Sequence, residues 1–242
     1  MRYKTLAFTA ALALGLCACQ NRDKLRVTSH GPYPDAHYIT EAQLKTLVDN
    51  FPAPPAPGSE EEKADWKLLL EWQNKRTALQ CAAALVQEKS NFPEYFGGDA
   101  NPFVKPEPKE VLDFMTRFGD DVKLAAARLK KHAKRPRPDG PELRPCIQDV
   151  GSKYSYPSIH AAVARAYALL LGDLAPARRA EFLAAADDAA LNRLITGVHF
   201  PSDLEAGKQY AALVYAELLN NESFRRDADS MRSYLEQDST KQ

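Results

Sequence analysis

The sequence predicts an all-α protein: a single helical-bundle domain whose polar chemistry is carried by loops and helix N-termini. Three observations point there. Apolar residues recur at helical spacing over long segments, as in Val111, Phe114, Met115, Phe118, Val122, Leu124 and Leu129. No segment alternates apolar and polar residues as a half-buried strand does. Capping serines and well-placed prolines bracket the periodic segments. The 242 residues, 45% hydrophobic and 26% charged, are enough for one domain with a sizeable core. Lys+Arg balances Asp+Glu at 32 each, which argues against a nucleic-acid partner held by bulk charge.

In chain order, Arg2 and Lys4 precede an apolar run from Leu6 to Leu16. Leu16-Cys17-Ala18-Cys19 is similar to a bacterial lipobox, so residues 1–18 read as a lipoprotein signal peptide and Cys19 as the lipid anchor. A diacylglycerol thioether with an N-acyl chain exceeds the two-signal threshold for stable anchoring. Gln20 rather than Asp after the cysteine implies the outer membrane, with the chain facing the periplasm. No later run is long and apolar enough to cross a bilayer, so the membrane is reached by the anchor alone.

Residues 19–58 read as a tether and proline-rich arm, with one short helix from Thr40 to Asp49. Ser59 and Glu62 form a capping box that opens a long helix to about Glu88. Leu68, Trp72, Leu79 and Ala83 share one face of it, widened by Leu69. Ser90 to Pro108 reads as a loop, followed by a helix from Glu110 to about Lys134 that ends at Arg135-Pro-Arg-Pro138. Further helices are predicted from Ser158 to Leu171, Pro176 to Leu194, Pro201 to Leu219 and Glu222 to Leu235. A catalytic domain then spans 59–236, with a tail at 237–242. Cys81 and Cys146 lack CxxC or CxxH neighbours, so in an exported chain they read as a disulfide rather than a zinc site.

Three stretches carry candidate chemistry. In Asn192-Arg-Leu-Ile-Thr-Gly-Val-His-Phe-Pro-Ser-Asp203, His199 lies just ahead of a helix that Pro201 opens. Asp203, four residues on, can hold the imidazole in one tautomer, and Arg193 adds a planar charged fork. An imidazole, an orienting carboxylate and an arginine beside an anion-favouring helix N-terminus suit attack on phosphorus. Lys130 is followed after six residues by Arg137-Pro138. Tyr156-Pro-Ser-Ile-His160 puts a hydroxyl, fresh helix N–H groups and a histidine together. Each stretch alone also has a plain structural reading: Ser158 as an N-cap, Lys130 as a dipole partner, His199 as a cap or core residue.

Together, Lys130, Arg137-Pro138, Pro157-Ser158-x-His160 and Arg193-x5-His199-x3-Asp203 resemble the three-part signature of the type 2 phosphatidic-acid phosphatase superfamily. The chain is most similar to the bacterial class A non-specific acid phosphatases, firmly from about Asp113 to Phe224. The resemblance implies that His199 is the nucleophile and forms a phosphohistidine. Asp203 orients it, and His160 protonates the leaving alcohol, then activates water. Lys130, Arg137, Ser158, the Ile159 N–H and Arg193 hold the phosphoryl oxygens. Cations supply the charge stabilisation that metals give elsewhere, so no metal and no cofactor are expected.

Ile159 stands where the family has Gly, and Asn192 where it usually has Ser. A β-branched side chain at 159 is expected to crowd the phosphate or narrow the leaving-group pocket. Small-molecule phosphate monoesters are the implied substrates; a homo-oligomer remains open. The alternatives are a lipid-phosphate phosphatase or phosphotransferase of the same superfamily, a vanadium haloperoxidase, and an inactive envelope lipoprotein on this scaffold.

Overall fold

Nine α-helices form among the described residues of the computed structural model, which are 35–87, 89–147 and 151–236. Cys19, the expected signal peptide, the first part of the expected tether and the C-terminal tail lie outside them. The helices are α1 Glu41–Asp49, α2 Glu60–Lys75, α3 Ala78–Leu85, α4 Phe92–Phe96, α5 Lys109–Ala133, α6 Ile159–Leu174, α7 Arg179–Ile195, α8 Pro201–Leu219 and α9 Glu222–Ser230. Short 3-10 turns at Pro176–Arg178 and Met231–Tyr234 precede α7 and follow α9. No strand forms among the described residues beyond two isolated bridges, Phe103 with Leu235 and Pro136 with Tyr154. The fold is all-α.

Helix α6 is the axis of packing. It is apolar nearly all round, as a helix enclosed by others must be. Ala161, Ala162, Val163, Ala164, Ala166 and Ala168 are buried along it, and these small side chains let α5, α7 and α8 approach closely. Helix α5 packs on it and buries Val111, Phe114, Met115, Phe118, Val122, Leu124 and Leu129, as the spacing predicts. Phe118 packs edge-on against Tyr167 and Tyr215 at 5.6 and 6.1 Å between ring centroids. Losing such a buried ring costs about 3–5 kcal/mol.

Within the arm, Tyr38, Ile39, Leu44, Leu47 and Val48 belong to the main core. Buried Asp121 of α5 pins this segment by accepting the backbone N–H groups of His37, Tyr38 and Ile39 at 2.6, 2.7 and 3.1 Å. The segment from Tyr38 onward is thus packed into the bundle.

The predicted long helix from Ser59 to Glu88 is two helices. Arg76 leaves helical geometry with ψ of 147°, and Thr77 opens α3 through a reciprocal capping box with Gln80. The break also re-aims the apolar face: Leu69 and Ala84 are buried, whereas Leu68 and Leu79 are 40% and 79% exposed. The periodicity was continuous across a cap, and the cap decided the geometry. Likewise the predicted loop from Ser90 to Pro108 contains α4, which Asn91 caps and whose Phe92, Tyr95 and Phe96 are buried. In the last segment α9 gives way at Met231 to a 3-10 turn.

Cys81 of α3 is disulfide-bonded to Cys146, 65 residues on. The loop around Cys146 is in turn fixed to the α7–α8 connection, where Cys146 N–H donates to the Thr196 carbonyl at 2.9 Å. Closing 65 residues of chain stabilises the fold by about 4 kcal/mol in the chain-entropy model. Replacing both cysteines with serine is expected to lower stability by an amount of that order, read as the denaturation midpoint; an unchanged midpoint would show that the bridge constrains nothing.

Candidate active site

The turn between α7 and α8 presents His199. Gly197 takes φ of +80°, which a side chain would strain, and reverses the chain just ahead of Val198 and His199. Arg76 donates to the Ile195 carbonyl at 2.6 Å and holds the same turn from outside. Pro201 then starts α8, and Asp203 is its third residue.

Asp203 is fully buried and uses both carboxylate oxygens. Oδ2 accepts the Phe200 N–H at 2.8 Å and lies 3.2 Å from His199 Nδ1. Oδ1 accepts from Arg135 Nη1 at 2.9 Å and from the Ser155 hydroxyl at 3.3 Å. On the other side of the imidazole, Arg137 Nη1 is 3.1 Å from His199 Nε2. Arginine can only donate, so Nε2 presents its lone pair to Arg137 and the ring proton sits on Nδ1, facing Asp203.

Four cationic or titratable side chains from separate elements surround the imidazole. Lys130 is in the last turn of α5, Arg137 in the following loop, Arg193 in the last turn of α7, and His160 in the first turn of α6. Burial first, then Arg137, Lys130, Arg193 and His160, push His199 well below the usual imidazole range. Burial, with Arg137 beside it and Asp203 opposing, brings Lys130 down to about 7. Lys130 Nζ donates to the carbonyls of Tyr154 and Ser155 at 3.1 and 2.7 Å. Burial pushes the Asp203 carboxyl up, while Arg135 and the Phe200 N–H pull it back.

The α6 N-terminus faces this cluster. Ser158 caps it, its hydroxyl accepting the Ala161 N–H at 3.3 Å, and Ser158 N–H donates to the Asp203 carbonyl at 2.9 Å. That bond ties the starts of α6 and α8 together. Ile159, expected to stand against an anion, packs in part on the main core. The Asn192 amide donates to Gln87 at 2.8 Å. A cavity of about 560 Å³ lies alongside, lined by Arg135, Arg137, Trp66, Phe200, Pro54 and Pro55 among others.

Lys130, Arg137, Ser158, His160, Arg193, His199 and Asp203, drawn from three separate stretches, thus converge. Four further polar residues were not anticipated: Arg135, Asp65, Ser155 and Ser202. Arg135 had a readable signal. In the extended Arg135-Pro-Arg137 segment, side chains two apart point the same way. Asp65 had none, being 137 residues from the Ser202 it contacts. Among the described residues, no group of three or more His, Cys, Asp or Glu side chains is placed to hold a metal ion. No helix among them is long and apolar enough to cross a membrane.

Residues 122–226 match the model of the PAP2 superfamily. The chain is 30% identical over 149 residues to the non-specific acid phosphatase of Salmonella typhi, covering 60% of this chain and 59% of that one. It is 27% identical over 206 residues to the non-specific acid phosphatase of Providencia stuartii, covering 80% and 82%. In fold it is similar to a transmembrane PAP2-type phosphatidylglycerolphosphate phosphatase from Bacillus subtilis. That match has a TM-score of 0.50 at 21% identity and covers 73% of this chain and 90% of that one.

The pairing of the two helix starts depends on Gly207 of α8. A Cβ there would stand 2.5 Å from the Ser158 carbonyl oxygen and 3.0 Å from the Ala161 Cβ, and the former is backbone that cannot turn aside. Gly207→Ala is expected to destabilise the fold by about 1–3 kcal/mol, as overpacking does. It should also displace Ser158 relative to His199. Thermal unfolding checks the first effect; a variant as stable as the parent would mean that α6 and α8 have slack.

Proposed function

We propose that this chain, which carries a PAP2 superfamily domain over residues 122–226, is a metal-independent acid phosphatase that hydrolyses phosphate monoesters through a phosphohistidine on His199. The observation that carries the reading is the imidazole of His199. It is held between Asp203 at Nδ1 and a cationic pocket at Nε2, and burial with the neighbouring cations disfavours its protonation. A histidine so placed is a nucleophile aimed at an anion.

The geometry supports the following steps. A phosphate monoester enters among Lys130, Arg137, Arg193 and the α6 N-terminus, with Ser158 Oγ and the Ile159 N–H as neutral donors. Arg137 exchanges its contact with Nε2 for a phosphoryl oxygen, which frees the lone pair. Nε2 attacks phosphorus; the N–P bond forms as the P–O bond to the alcohol breaks, and His160 gives the leaving oxygen a proton. Asp203 stabilises the positive charge that appears on the ring. His160 then takes a proton from water, whose oxygen displaces His199 and releases inorganic phosphate. The fixed cations stabilise charge on the equatorial oxygens throughout, the role metals have in other phosphoryl transferases.

We place the protein in the periplasm, tethered to the outer membrane through Cys19. The acid phosphatase relatives of Salmonella typhi and Providencia stuartii support the monoester reading by name. The lipobox-like Leu16–Cys19 stretch supports the anchor.

Two results are expected. First, label from a phosphate monoester, trapped without acid, should map to His199 in an acid-labile, alkali-stable linkage. His199→Ala should remove turnover of every ester. His160→Ala should slow esters with poor leaving groups most, and a chelator should leave the rate intact. Label on serine or aspartate would overturn the assignment. Second, Lys130 loses its charge in the free enzyme as pH rises through about 7, so kcat/KM should fall above that point. His199, depressed below the usual range, should keep the acid side of the profile open. If Lys130→Met keeps the parent's decline unchanged, Lys130 is not its source.

A further inference from the structure

Asp65 and Arg135 have no part in the steps above, yet with Asp203 they form one buried chain of charges. The Arg135 fork spans two carboxylates, Nη1 to Asp203 Oδ1 at 2.9 Å and Nη2 to Asp65 Oδ2 at 2.7 Å. The Arg135 side chain is 5% exposed, Asp65 6% and Asp203 0%. The guanidinium also lies over the Phe200 ring, 4.1 Å from its centroid. Asp65 accepts the Ser202 N–H at 3.0 Å and the Ser202 hydroxyl, which itself accepts from Arg135 Nη1 at 2.6 Å. Ser202 is the second residue of α8, so α2 supplies an anion to the start of the helix that carries Asp203.

We propose that Arg135 and Asp65 are positioning residues for the His199–Asp203 pair. They make an Asp–Arg–Asp clamp that fixes the orientation of the Asp203 carboxylate and sets how strongly it holds the Nδ1 proton. The proposal rests on His199 as nucleophile. Its physical basis is twofold. A carboxylate gripped at Oδ1 by a fork that is itself gripped at the far end cannot rotate away from the imidazole. The charges also oppose each other in sequence. Arg135 weakens the pull of Asp203 on the His199 proton, and Asp65 neutralises Arg135 and restores it. With both carboxylates present the trio carries one net negative charge for the imidazolium that forms; without Asp65 it carries none.

The groups facing His199 are Asp203 of α8, Arg137 of the loop, Lys130 of α5, Arg193 of α7 and His160 of α6. Arg135 faces Asp203 and Asp65, with Glu62 of α2 lining the same cavity. Changes at 65 or 135 remove none of the groups that face His199, so a shift in its ionisation reads the clamp.

The test uses the intact protein and two readouts: the acid limb of kcat/KM, and the titration of isotope-labelled His199 followed by NMR. Arg135→Gln should raise the His199 ionisation by roughly one pH unit, and Asp65→Asn should lower it by less. Arg135→Lys keeps the charge but not the fork, so the ionisation should stay near the parent's while kcat falls on the order of tenfold. Opposite shifts for Arg135→Gln and Asp65→Asn support the clamp. Shifts of the same sign, or none in folded variants, overturn it. If thermal unfolding shows that Arg135→Gln does not fold, Asp65→Asn and Arg135→Lys decide, and an unshifted His199 in the first or an unchanged kcat in the second overturns the proposal. A parent protein that hydrolyses no phosphate monoester sinks the phosphatase reading alone, because the NMR titration still reads the clamp.

Discussion

The site depends on one buried carboxylate. Asp203 has no access to water, and a charge in that position is tolerated only when every lone pair is engaged. It is engaged fully: the Phe200 N–H and His199 on one oxygen, Arg135 and Ser155 on the other. Its backbone carbonyl holds the Ser158 N–H as well. Through these contacts a single residue registers α8, the start of α6, the Arg135–Arg137 segment and the imidazole. Removing any one partner leaves a buried charge under-solvated, so the arrangement is cooperative by necessity.

The packing of the bundle exists to make that convergence possible. An alanine-rich α6 lets α7 and α8 lie close on either side, and Gly207 allows the backbones of α8 and the α6 cap to touch. Three helix ends thereby meet at one place: the C-terminal turns of α5 and α7, which bring Lys130 and Arg193, and the N-terminus of α6. Lysine and arginine near helix C-termini are favourable on their own account. Burying them around one imidazole is not: desolvation first, and the neighbouring cations second, lower the proton affinity of His199 and Lys130. An anionic ligand would relieve that repulsion, which makes such a cluster a candidate binding site.

The region before α5 has a supporting part that its composition conceals. Proline-rich residues 53–57 line the cavity beside Arg137, and α2 contributes Asp65 and Trp66 to the neighbourhood of the site. Trp66 meets Phe200 edge-on at 5.1 Å, next to the ring on which Arg135 lies. The disulfide from α3 to the loop at Cys146 anchors the far side of the His199 turn. The turn is thus gripped from both ends by segments well outside the PAP2 match.

The sequence by itself determined the fold class, because apolar residues at helical spacing with no strand pattern leave only helices to bury them. Its local motifs also singled out Lys130, Arg137, Ser158, His160, Arg193, His199 and Asp203 as candidates, because their order and spacing lie within short stretches. Capping chemistry placed the starts of α2 and α6, since a cap acts within three residues. Tertiary structure alone decided the break at Arg76, where apolar spacing runs through and a second cap intervenes. It alone set which face of α2 and α3 is buried, leaving Leu79 exposed and Leu69 enclosed. It alone brought Asp65 to Arg135. The physical reason is range. Helix periodicity and capping are short-range and are written in neighbouring residues, whereas the partner of a buried arginine is chosen by packing between elements far apart in the chain.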